Sequence, residues 1–242
     1  MVKKMKIKAL GFDLGETLFY TSGVRLNWME HYIPALKLSL DKLGITCSEN
    51  QLQKSSQILS EYNTRINPRT KEISCDTIFK RIIEETGLPQ SIELAKFEDG
   101  FFTYFSKDRQ DFYEDAVPSL LKIKESGFRM GYLTDVPYGQ KRLTDRNSTM
   151  ILEKLLSFSS IYISSIDVGY RKPEIYGFME LANRLQCDNN EVLYIGNEEK
   201  DIVGAKNAGM VACLISREKK EICWGQDMTI HSLNDIVGIL GK

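Results

Sequence analysis

Histidine is scarce: the 242-residue sequence holds two, His31 and His231. That excludes a multi-histidine metal centre and leaves little room for a Ser-His-Asp triad, so acid–base chemistry falls to carboxylates. Cysteines are few and badly spaced for pairing. Of Cys47, Cys75, Cys187, Cys213 and Cys223, the nearest two lie ten positions apart. Zinc-ribbon, CxxC redox and disulfide-scaffold readings therefore fail, and the five are read as reduced, mostly buried thiols of a cytoplasmic protein. Neither sign of charge dominates. The 32 Lys+Arg against 33 Asp+Glu leave a net charge of -1, which argues against a general nucleic-acid partner or a polybasic membrane surface. No apolar run approaches the roughly 18 residues expected of a transmembrane helix. The opening MVKKMKIKALGFDLG carries lysines, but its apolar stretch is short and does not read as a signal peptide.

What is present is a well-mixed sequence, 42% hydrophobic, long enough for one buried core and a smaller second unit. Residues 6 to 12 form a β-type run stopping at Asp13-Leu14-Gly15. From Leu26 to Leu43 the apolar residues recur at helical spacing, and Gly44 ends the helix. Further helices are expected at about 49–62, 75–86 and 91–106, so the stretch 21–112 reads as all-helical and strand-free. Beyond it, strands at 128–133, 160–164, 191–195 and 210–215 alternate with helices at 117–126, 139–156, 173–185, 202–208 and 231–240. That alternation implies a mostly parallel, Rossmann-like α/β sheet covered on both faces. The expected domains are an α/β core, residues 1–20 and 113–242, and an inserted helical domain, residues 21–112. The insert begins where the first strand ends, and open α/β sheets bind ligands beyond the carboxyl ends of their strands. A helical unit placed there is expected to act as a lid.

Four chemistry-bearing segments stand at expected strand ends: Asp13 to Thr17, Thr134-Asp135, Gly169 to Pro173, and Gly196 to Asp201. Parallel topology gathers them at one sheet edge. A carboxylate, a hydroxyl, an ammonium and a second acidic cluster suit phosphoryl transfer assisted by a hard cation.

In their order and spacing these segments resemble the motifs of the haloacid dehalogenase-like superfamily, over nearly the whole chain. Asp13 matches the family's nucleophile and Thr17 the closing threonine of the first motif. Thr134 matches the second motif, Lys172 with Pro173 the third, and Gly196 with Asp201 the frame of the fourth. The insert resembles the family's first-position cap. Two positions depart from the pattern. Gly15 stands where phosphatases of the family carry the Asp that protonates the leaving group and then activates water. Asn197 stands where a metal-ligating Asp is usual.

The resemblance implies a magnesium-dependent phosphatase of a small phosphorylated metabolite, working through an aspartyl-phosphate. Asp13, Thr134 and Lys172 are then catalytic, and Thr134, Asp135 and Lys172 hold the phosphate. The magnesium ligands are Asp13, Gly15 through its carbonyl, Asn197 and Asp201. Losing the positioned acid costs about 10²–10⁴-fold, less where the leaving group needs no proton. Bland roles stand beside these. Asp13 and Thr134 also suit strand-terminating turns, and Lys172 an exposed loop. Asp135 suits a helix cap or a compensating carboxylate. Glu16, one step out of phase with Asp13 on an extended segment, reads as solvent-facing or capping, with a substitute acid as the alternative. Arg171 reads as surface, with a reach to substrate as the alternative, and Glu198, Glu199 and Lys200 read as a helix start, where acidic residues favour the positive dipole end, with a ligand role as the alternative for Glu198. Tyr20, Arg25, Asn27, Trp28 and His31 lie near enough in sequence to the first motif to reach substrate, or else form ordinary helix surface and core. Two rivals remain: a metal-independent dehalogenase and a catalytically weak binding module. Neither nucleic acid nor membrane is implied, and a monomer or a homodimer accommodates the reading equally.

Overall fold

The computed structural model describes residues 7–22, 28–107, 109–141 and 146–240. Arg25 and Asn27 lie outside the described residues. Two compact units emerge: Met1–Tyr20, Asp111–Asp135 and Ile151–Lys242 form one, and Thr21–Gln110 with Val136–Met150 form the other. The segment 136–150, read from the sequence as part of the α/β core, thus groups with the helical unit.

In chain order the elements are β1 (Ala9–Phe12), β2 (Phe19–Ser22), α1 (Tyr32–Lys42), α2 (Glu49–Glu61), α3 (Cys75–Thr86), α4 (Leu94–Thr103) and β3 (Arg109–Phe112). There follow α5 (Ala116–Glu125), β4 (Arg129–Thr134), α6 (Arg146–Leu156), β5 (Tyr162–Ser164), α7 (Ser165–Val168) and α8 (Ile175–Leu185). The chain continues through β6 (Val192–Gly196), α9 (Glu199–Asn207), β7 (Val211–Ile215), β8 (Met228–Ile230) and α10 (Leu233–Leu240). The stretch 21–112 is therefore not strand-free, because β2 and β3 pair as a two-stranded sheet at its two ends. Both are four residues long, too short to establish a period-two pattern.

The α/β unit is built on a six-stranded parallel sheet in the order β5-β4-β1-β6-β7-β8. Alternation along each strand divides its side chains between two cores. Leu10, Phe12, Tyr132, Leu193 and Ile195 face one core with α5 and α10, while Ala9, Leu133, Tyr194, Ala212 and Leu214 face the other with α8 and α9. Helix α8 buries Phe178, Leu181, Ala182 and Leu185, a stripe at i, i+3, i+4, i+7. Its close seat depends on Gly11 and Gly131, where an added Cβ would fall 2.6 and 2.7 Å from the Leu181 methyls. The first strand lies inside the sheet. From it the chain builds outward through β4 and β5 on one side and β6 to β8 on the other. A strand order that reverses in this way opens a crevice at the carboxyl ends of the central strands.

The helical unit packs α1 to α4 around Tyr32, Leu36, Leu40, Ile58, Phe79, Ile82, Phe97 and Phe101. Helix α3 begins at Ser74, whose Oγ accepts from the Thr77 N–H at 3.3 Å, and ends at Gly87 in the left-handed region. Tyr138 joins this core, and Gly139 lies so close to the Ile73 carbonyl that a Cβ would meet its oxygen at 2.0 Å. These long-range contacts draw 136–150 into the unit.

Within it, burial pushes the Glu98 carboxyl up to about 7, helped by a hydrogen bond and the charge of Asp76 on α3; Cys75 and Lys141 also act on it. Lys141 pairs with Asp76 at 2.5 Å. Folded Glu98 keeps a proton that the unfolded chain releases from about pH 4.5, so stability falls as pH rises from there through 7. Glu98→Gln is expected to raise the thermal midpoint by a few degrees at pH 8 and to change it little at pH 4.5. An equal effect at both values in thermal unfolding would refute this.

Candidate active site

Asp13 follows β1 directly, and its N–H continues the sheet ladder by donating to the Ile195 carbonyl at 2.9 Å. Thr134 ends β4, the neighbouring strand on one side, and Asn197 follows β6, the neighbour on the other. Lys172 comes from the loop between α7 and α8. Parallel pairing thus collects at one edge residues from positions 13 to 201.

Lys172 organises the centre. Its Nζ lies 2.5 Å from Asp13 Oδ1, 2.5 Å from Asp201 Oδ1 and 3.4 Å from the Tyr194 hydroxyl. All four residues are buried. One ammonium cannot neutralise two carboxylates, and the excess negative charge falls on the nucleophile candidate. Burial pushes Asp13 up to about 6, the Lys172 charge opposing the rise and the Asp201 charge adding to it. Burial alone would lower Lys172, but Asp13 and Asp201 outweigh it and hold it well above the usual lysine value.

Asp201 is fully buried with both oxygens engaged: Oδ1 takes Lys172, and Oδ2 accepts the Glu198 N–H at 3.0 Å, fixing the start of α9. Gly196 makes this possible, since a Cβ there would fall 2.4 Å from Asp201 Cβ and 2.5 Å from its Cγ. An anchoring partner for Lys172 describes Asp201 better than an outward-facing metal ligand.

Asp135 caps no helix. Its Oδ1 accepts the Lys172 N–H at 3.1 Å, and its Oδ2 faces Lys200 Nζ at 3.1 Å and Arg171 at 3.9 Å. Burial would raise its carboxyl, but the Lys172, Lys200 and Arg171 charges outweigh it and keep Asp135 below the ordinary aspartate value. Lys200 also pairs with Glu198 at 2.8 Å. Arg171, expected at the surface, is buried.

Glu16 departs from the sequence reading. It sits at φ +59°, a left-handed turn rather than extended chain, and its carboxylate accepts the Tyr113 hydroxyl at 2.8 Å. It is half-buried and caps no helix. The Arg217 guanidinium lies 3.6 Å over the Tyr113 ring and donates to the Thr17 carbonyl at 2.7 Å and to Asp115 at 3.1 Å. Tyr113, Arg217 and Asp115 therefore shape the loop 13–18, a role no local pattern in the sequence signalled. Tyr194 and Lys200 were missed too: one sits in a buried strand, the other in a charged helix start, both of which read as ordinary structure.

A hard cation fits this donor set. Asp13 Oδ2, Thr17 Oγ1 and Asn197 Oδ1 are neighbours, at 3.2 and 3.1 Å from the threonine oxygen. The single threonine proton cannot satisfy both other oxygens at once. Among the described residues no three His, Cys, Asp or Glu side chains converge on a metal position. The set thus combines one carboxylate with neutral oxygens, those of Thr17 and Asn197, which suits an ion that keeps several waters.

A model of the haloacid dehalogenase-like hydrolases matches residues 7–209. The chain belongs to that family. Among curated proteins it is 29% identical to a glyceraldehyde 3-phosphate phosphatase of Methanopyrus kandleri, over 95% of this chain and 91% of that one. Among solved structures it superposes on a haloacid dehalogenase-like phosphatase from Thermococcus onnurineus with TM-score 0.64 and 22% identity, covering 97% and 98% of the two chains. A 2-haloacid dehalogenase from Pseudomonas syringae gives TM-score 0.66 and 20% identity, again over 97% and 98%. The family match makes the chain a hydrolase of this family, and the solved structures share its fold. The five cysteines are free, as its sequence spacing implied, but only Cys75 and Cys213 are buried. No helix among the described residues is long and apolar enough to cross a membrane.

Proposed function

We propose that this hydrolase is a magnesium-dependent phosphatase of a small phosphorylated metabolite, with Asp13 as nucleophile. The observation that carries the reading is the buried carboxylate at the end of the inner strand β1, gripped on one oxygen by Lys172 and on the other by Thr17. Asp13 attacks phosphorus and becomes an aspartyl-phosphate, which water then hydrolyses, dividing one hard step into two easier ones. Lys172 offsets the repulsion between the attacking carboxylate and the phosphoryl oxygens. Thr134, at the end of the neighbouring strand, donates its hydroxyl to the phosphate. Asp135 positions Lys172 by holding its backbone. Asp13, the Gly15 carbonyl and Asn197 hold magnesium, with Asp201 supporting them through Lys172. When bound, the ion supplies positive charge to the phosphoryl oxygens. The helical unit is assigned the part of a cap because the chain runs into it just after the nucleophile loop.

The test is phosphate release from p-nitrophenyl phosphate in magnesium and in EDTA. Turnover is expected only with magnesium, and Asp13→Asn should lower it by at least about 10⁴-fold, as loss of a nucleophile does. Turnover that survives either EDTA or Asp13→Asn would defeat the assignment.

A further inference from the structure

We propose that the site is matched to phosphoryl donors whose leaving oxygen departs as a stable anion, acyl phosphates and other phosphoric anhydrides, rather than to alkyl phosphate esters. This rests on the phosphatase reading above and narrows its substrate class. An alkyl ester releases an alkoxide, whose conjugate acid is about as weak an acid as water. Such a bond breaks readily only when a positioned acid supplies a proton. An acyl phosphate releases a carboxylate, with a conjugate acid near 4, and needs no proton.

Each group of the α/β unit near Asp13 is committed elsewhere. Position 15, two residues beyond Asp13, is a glycine and has no side chain to offer. Glu16 is turned to the Tyr113 hydroxyl at 2.8 Å on the far side of a left-handed turn. Asp135 accepts the Lys172 N–H on Oδ1 and faces the Lys200 ammonium with Oδ2, and so acts as a carboxylate. The Lys172 ammonium is shared between Asp13 and Asp201. The Thr17 hydroxyl is taken by Asp13 and Asn197, so among the described side chains of this unit no uncommitted carboxylic acid stands beside Asp13 to protonate a leaving oxygen. The vacancy is a matter of sequence rather than space: a Cβ built on Gly15 meets nothing within 4 Å, and its φ is ordinary.

An Asp13 oxygen bonds to phosphorus while the bond from phosphorus to the acyl oxygen breaks, its electron pair leaving with the carboxylate. Water next bonds to the phosphorus of the aspartyl-phosphate, the Asp13 carboxylate is released, and the water proton passes to solvent. No side chain at position 15 draws off that proton either. The second step is therefore slow for every donor, and good donors should give a burst of leaving group before steady turnover.

The experiment compares kcat/KM for acetyl phosphate, p-nitrophenyl phosphate and glyceraldehyde 3-phosphate, in magnesium, for wild type, Gly15→Asp and Asp13→Asn. Wild type is expected to favour acetyl phosphate over the alkyl ester by at least about 10²-fold, the lower end of what a positioned acid contributes. Gly15→Asp should narrow the ratio of acetyl phosphate to alkyl ester by about 10²–10⁴-fold and remove the burst. Similar kcat/KM on all three donors in wild type, abolished by Asp13→Asn, would overturn the inference and leave the phosphatase reading standing. A donor ratio that Gly15→Asp does not narrow would also overturn it. No turnover on any donor, or turnover indifferent to Asp13→Asn, would overturn both.

Discussion

Lys172→Met is expected to abolish turnover and to lower the thermal midpoint by roughly 6–20 °C. The second figure follows from breaking a buried ion pair, about 3–5 kcal/mol, at about 2–4 °C per kcal/mol for a chain of this size. Methionine keeps most of the volume, so the loss is electrostatic rather than a cavity. Without the ammonium, the Asp13 and Asp201 carboxylates face each other unpaired in a buried site. One of them takes up a proton as the pH falls, which relieves the repulsion. The deficit relative to wild type should therefore shrink between pH 8 and pH 5, since wild-type Lys172 stays charged across that range. Thermal unfolding of both proteins at the two pH values is the measurement. A deficit that did not vary with pH would mean that packing, not charge, is what Lys172 contributes.

Gly196→Ala should be nearly as damaging, although it removes nothing. The new methyl would sit 2.4 Å from Asp201 Cβ, and Asp201 is fully buried. Overpacking costs about 1–3 kcal/mol, and displacing the Asp201 carboxylate also strips Lys172 of a partner and the Glu198 N–H of its acceptor. Gly15→Ala is the comparison: its methyl meets open space and should shift stability by no more than about 0.5–1 kcal/mol. Loss of the midpoint in the first variant and not the second is the expected pattern. Equal midpoints in the two would show that Asp201 can move aside without cost.

How far the sequence discloses this arrangement depends on the range of the interaction. Strands β1, β4, β6 and β7 and helix α8 were legible because burial on both faces writes an apolar run and a packed helix writes a 3.6-residue period. Asp13, Thr134 and Asn197 were legible as strand-end residues, whereas Lys172, expected at one too, follows the short helix α7 rather than β5 itself. The three-residue strand β8 left no period to read. Glu16 misled because alternation presumes extended chain, and a single residue at φ +59° cancels that premise. The sequence reads 136–150 with the α/β core because what groups it with the helical unit, Tyr138 in the helical core and Gly139 against Ile73, involves residues some 65 or more positions away. Asp201 shows the same limit. Its acidity suggested a cation, whereas the cation it meets is a lysine 29 positions earlier.

The inner position of β1 bears on the order in which the protein can assemble. Its partners are β4 and β6, and β6 begins only at Val192. A ribosome adding about 5–20 residues per second needs roughly 10–40 s to go from the first strand to that one. During this interval the nucleophile loop has neither Asn197 nor Arg217 to shape it, whereas Thr21–Gln110 is by then complete. The helical insert can settle while the nascent α/β unit waits with its first strand unpaired on one edge. A chain released before about residue 200 would carry Asp13 and no active site.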